Sequence, residues 1–80
     1  MLRWRSDAIQ RVVAAGERSL RRGEKRIAKR LYSRAHELLR YQITAAQTCV
    51  RSGSVGRGEA YGYVVPVVAR FERFERRVEG

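Results

Sequence analysis

The sequence predicts an all-α fold, an antiparallel helical hairpin with a third C-terminal helix, on three observations. Apolar residues recur at helical spacing in three separate stretches. Glycine punctuates those stretches, at Gly23 and again through Ser52-Gly53-Ser54-Val55-Gly56-Arg57-Gly58. The middle stretch carries an apolar face too broad for a two-helix seam, which calls for two packing neighbours.

The first helix is expected at about 7–22. Asp7 suits the N-cap, with Gln10 three residues on, and Ile9, Val12, Val13, Gly16 and Leu20 follow at helical spacing. Arg21 and Arg22 suit the negative end of the helix dipole, and Gly23 suits the left-handed residue that closes a helix.

The second helix is expected at about 24–51, a stretch without Pro or Gly. At helical spacing Ile27, Leu31, Leu38, Ala45 and Cys49 fall within about 40° of one another. Ala28, Ala35, Leu39, Ala46, Tyr32, Val50 and Ile43 widen that face to about 160°. Leu31, Leu38 and Tyr32 are therefore expected in the core, and Cys49 is expected as a small buried hydrophobe.

Residues 52–58 read as a linker. Beyond them Val67, Phe71, Phe74 and Val78 form a narrow apolar stripe, and Pro66 fits the first turn of a helix at about 66–78. The pattern leaves Tyr61-Gly62-Tyr63-Val64-Val65 open between an extended run and a helical turn. Tyr61, Tyr63 and Trp4 are expected to pack rather than to stack on bases. The whole chain, 1–80, is expected to form one helical domain. A chain this short buries only about 60% of its unfolded surface, so its core is marginal.

Within the first two helices, Gly16-x6-Gly23-x4-Ala28-x3-Tyr32-x2-Ala35 resembles the small-residue and aromatic spacing of a tetratricopeptide repeat. The resemblance covers about residues 9–42. It departs at Val12, where the family carries a large aromatic, and at Arg40, where it often carries Pro. It implies a tight antiparallel hairpin, and a lone repeat implies no concave peptide groove. The three-helix microtubule-interacting-and-transport domain is similar in length and in its first hairpin.

Charge then narrows the function. The chain carries 18 Lys+Arg against 8 Asp+Glu, a net charge of +10, which points to acidic partners. Residues 1–40 hold 12 of these cations against Asp7, Glu17, Glu24 and Glu37, leaving +8. The densest stretch is Arg18, Arg21, Arg22, Lys25, Arg26, Lys29, Arg30 and Arg34, opposed only by Glu24. Together with Arg40 these residues form a candidate ridge for a phosphate backbone. Such a ridge neutralises repeated negative charge with release of counterions, and Arg adds a planar fork of donors. Glu72 and Arg76, by contrast, stand at i,i+4 in the favourable order, as on an ordinary solvated face.

Enzymatic chemistry finds no foothold. His36 is the sole histidine, and on one continuous helix it stands about 20 Å from Cys49, the sole cysteine. Neither a metal set nor a paired catalytic carboxylate can be assembled, so the expectation is no enzyme and no cofactor. Gly53-Ser54-Val55-Gly56 lacks the Lys-Ser/Thr ending of a phosphate-binding loop. The longest apolar run, Val64 to Ala69, has six residues and contains Pro66, whereas a membrane-spanning helix needs roughly 20. Asp7 and Glu17 count against an organelle transit segment.

The expected function is that of a basic structural protein binding nucleic acid, DNA or RNA, through its phosphates and without base readout. It would serve as a packaging, coat or ribonucleoprotein component, in a homo-oligomer or larger assembly. The second reading is an adaptor whose apolar groove and basic rim hold an acidic protein. A lone thiol fits a cytoplasmic setting or a nucleoprotein assembly.

Overall fold

The computed structural model describes residues 6–80 and comprises three α-helices: α1, Ser6–Arg21; α2, Lys25–Ser52; and α3, Arg57–Glu79. Each helix packs against both of the others, so the all-α three-helix arrangement holds. The bundle is a rod of 45 × 16 × 15 Å. At 1.5 Å per residue α2 spans about 42 Å, nearly the full length, whereas α1 spans about 24 Å and accompanies only part of it.

The hairpin turn follows from Gly23, which takes φ +76°. Its N–H donates to the Leu20 carbonyl and the Glu24 N–H donates to the Ser19 carbonyl, at 3.1 and 2.8 Å. This pair of bonds closes the last turn of α1, and it needs a left-handed residue at position 23. Gly53 repeats the device at the end of α2 with φ +78°, as Gly53 N–H donates to Val50 and Ser54 N–H to Cys49. Asp7 sits within the first turn of α1 rather than capping it, since Ser6 is already helical.

The core is built from Ile9 and Val13 of α1, Ala35 and Leu39 of α2, and Val67, Phe71 and Phe74 of α3. On α2 the most buried positions are Ala28, Ala35, Leu39, Gln42 and Ala46. The buried face is thus centred roughly 70° away from the Ile27/Leu31/Leu38 line that the sequence favoured. Ile27 is 44% exposed, and Leu31, Leu38, Tyr32 and Cys49 are half-buried. The reason is division of labour. Alanines on α2 let the helices approach, and the bulk filling the space comes from Phe71 and Phe74 opposite. Gln42 is 5% exposed, and among the described residues neither atom of its carboxamide has a hydrogen-bond partner.

α3 begins nine residues before Pro66, so the expected start at 66 and the linker 52–58 are both corrected; of that linker only 53–56 lie outside the helices. Gly56 is extended at the N-cap, and its carbonyl receives the first helical bond from Ala60 at 3.0 Å. Residues 57–65 are helical because Ala60 and Val64 extend the Val67/Phe71 stripe by two turns onto α2. Pro66 has no N–H for the carbonyl of Gly62. Both residues are exposed, which leaves that carbonyl open to water. Tyr61 and Tyr63 are 61% and 49% exposed and so do not belong to the core, contrary to expectation.

Two polar links fasten α3. Glu17 accepts a 3.1 Å hydrogen bond from Arg70 and lies 3.8 Å from Arg77. The Tyr32 hydroxyl donates to Glu75 at 2.5 Å, with its ring stacked on Phe71 at 5.2 Å between centroids.

Candidate nucleic-acid interface

Because α2 turns Ala28, Ala35, Leu39 and Ala46 inward, its opposite side is fixed as a polar surface. Arg18, Arg21, Arg22, Lys25, Arg26, Lys29, Arg30, Arg34 and Arg40 are all exposed. Arg34 lies 3.6 Å from Glu37, both side chains well exposed, a pairing worth little in water. None of the other eight has a carboxylate within 4.0 Å among the described residues.

Two of the acids are engaged elsewhere. Glu17 is engaged by Arg70 and Arg77, and Glu75 holds Tyr32. Arg70 and Arg77 of α3 are therefore tied to α1, while Arg57, Arg73 and Arg76 of α3 and the cations of the hairpin are exposed. Arg76 adds a local bond, donating from Nε to the Glu72 carbonyl at 3.5 Å.

The nine residues do not form one straight ridge. Arg21, Arg22, Lys25 and Arg26 gather at the hairpin turn. From there one strip descends α2 through Lys29, Arg30 and Arg40, and another follows α1 through Arg18. Two exposed residues extend these strips and were not singled out from the sequence. Arg51 follows Lys29 and Arg40 at 11-residue intervals, which nearly match three helical turns and so align the three along one line. Arg11 lies seven residues, about two turns, before Arg18. These spacings were the signal that could have found them.

The start of α2 adds an electrostatic feature. Glu24 at its N-cap makes no side-chain capping bond, and its first turn contains no acid. Lys25 and Arg26 stand there instead, at the positive end of the helix dipole, where cations are disfavoured and an anion is welcome.

A concave feature lies on the seam between α2 and α3. A cleft of about 340 Å³ has Ile43, Ala46, Val50, Ala60 and Val64 on its lining, with Tyr61, Gln47, Arg51 and Arg57 beside them.

His36 and Cys49 lie on the uninterrupted α2, about 20 Å apart, so they do not meet. His36 instead stacks beside Tyr32, with ring centroids 6.1 Å apart. Among the described residues no group of three or more His, Cys, Asp or Glu could hold a metal ion. None of the described helices is long and apolar enough to cross a membrane. Trp4 lies outside the described residues. In comparison with protein families, characterised proteins and solved structures, nothing matches the chain.

Proposed function

We propose that the protein binds the phosphate backbone of nucleic acid as a structural component, without reading bases. The observation that supports this most is the segregation of charge. Eight outward cations of the hairpin lack a carboxylate partner among the described residues, while on α3 Arg70 and Arg77 are paired with Glu17 and the other arginines are interleaved with Glu59, Glu72, Glu75 and Glu79. Unpaired cations on a +10 chain repel one another, and a polyanion relieves that repulsion. Phosphate contacts of this kind position a protein without carrying sequence information. Packaging, coating or a ribonucleoprotein role all use such contacts, and none requires a catalytic step or a cofactor. The direct test is the purified protein itself. It should carry nucleic acid, raising its ultraviolet absorbance ratio, and nuclease at moderate salt should remove the excess. Protein that emerges clean from a low-salt purification would count against this reading.

A second reading, the adaptor, has the seam cleft in its favour. An apolar floor beside Arg51 and Arg57 suits an amphipathic helix with acidic flanks. An acidic amphipathic peptide should then shift the amide signals of Ile43, Val50 and Val64, and leave those of Arg26 and Arg30 unmoved. The reverse pattern would support the phosphate-binding reading.

A further inference from the structure

Resting on the phosphate-binding reading, we propose that one molecule holds two duplex segments at once, the second on the outer face of α1. Ile9, Val13 and Gly16 point into the bundle, so Arg11 and Arg18 fall together on the opposite side of α1, with Arg22 continuing that side at the turn. All three are exposed. On α2, burial of Ala28, Ala35, Leu39 and Ala46 sends Arg26, Arg30, Arg40 and Arg51 outward in the same way.

The three helices pack on one another, so the outward faces of α1 and α2 point in different directions. A duplex is stiff over about 150 base pairs. Along a rod 45 Å long it cannot bend from one face round to the other. A duplex on α2 therefore leaves Arg11 and Arg18 free to take another. The backbone of the bundle spans only 15–16 Å between the faces, so cations on both sides lower the repulsion between two duplexes held on them. The protein then acts as a cross-bridge, and condensing nucleic acid is its function rather than merely coating it.

The α1 face is the weaker one. It offers three cations and also carries the exposed Asp7. Three phosphate contacts give a salt slope of about −2.7, so bridging should weaken about fortyfold between 50 and 200 mM salt. Binding through the larger α2 set should outlast it.

The test mixes donor-labelled and acceptor-labelled short DNA duplexes at about 50 mM salt. Energy transfer between duplexes reads bridging, and anisotropy of one duplex reads binding. The parent should give both signals. R11E/R18E/R22E should lose energy transfer while a single duplex still binds through the α2 cations, more weakly than to the parent because Arg18 and Arg22 also belong to the hairpin set. R11Q/R18Q/R22Q, a milder change, should behave the same way with helix content unchanged. R57E/R73E/R76E alters net charge equally and should still bridge. Binding without energy transfer in the parent would overturn the cross-bridge alone. So would energy transfer that survives both α1 variants. Absence of any anisotropy change would overturn the phosphate-binding reading, and the cross-bridge with it.

Discussion

Gly16 of α1 faces the outer end of the Phe74 ring of α3. A Cβ at position 16 would fall 2.7 Å from Cε1, closer than real Cβ contacts allow, and 3.0 Å from Cε2, at the tight limit. Phe74 is wholly buried, so its ring has no room to retreat. Gly16→Ala should therefore destabilise by about 1–3 kcal/mol despite the gain in helix propensity. Thermal melting measures this, and Gly16→Ala combined with Phe74→Leu should lose less than the two single changes together.

The packing of α2 makes a second expectation. Leu39→Ala should cost about 2–5 kcal/mol, because Leu39 is 7% exposed and sits in the central cluster. Ile27→Ala, at a position 44% exposed, should cost well under that, about 1 kcal/mol or less. Urea melts of the pair establish the order. Equal losses would return the buried face to the Ile27 line.

These two contrasts show what could be read from residues alone. Helix type was legible for α1, α2 and the later part of α3, because Gly23 and Gly53 mark the ends of the first two helices and the apolar spacing is regular there. The centre of the α2 face was not legible. Ile27 and Leu31 outweigh Ala28 and Ala35 in any hydrophobic count, yet close approach of helices selects the alanines. The start of α3 was missed for a related reason. Pro66 reads as a first-turn residue, and nothing local reveals that Ala60 and Val64 find partners on α2. Exposure of the candidate cations followed from periodicity. Their division into two strips did not, because it depends on where α1 lies.

Tyr32 gives a pH dependence. Its hydrogen bond to Glu75 holds the hydroxyl proton, burial disfavours the phenolate, and the charges of Glu75 and Glu79 add to the effect, so its pKa is pushed up from 10 to about 12. Folding thus favours the neutral phenol. The stabilisation is fully present below pH 10 and is lost as pH rises through about 12. In an ultraviolet titration of the folded protein, one phenol should ionise near pH 12, and Tyr32→Phe should abolish that late component. Persistence of the late component in Tyr32→Phe would assign it elsewhere.

The most direct measurement is the salt dependence of duplex binding, in parent and charge-reversed proteins. If about four to six hairpin cations contact phosphates, log affinity against log salt should fall with a slope of roughly −4 to −5. Affinity should then drop by a few hundredfold to about a thousandfold between 50 and 200 mM salt, with scrambled duplexes binding equally well. R26E/R30E/R34E should nearly abolish binding with helix content intact. R73E/R76E/R77E should do much less, although it also breaks the Arg77 link to Glu17. Equal losses from both variants, or no binding by the parent at about 50 mM salt, would contradict a phosphate-binding hairpin.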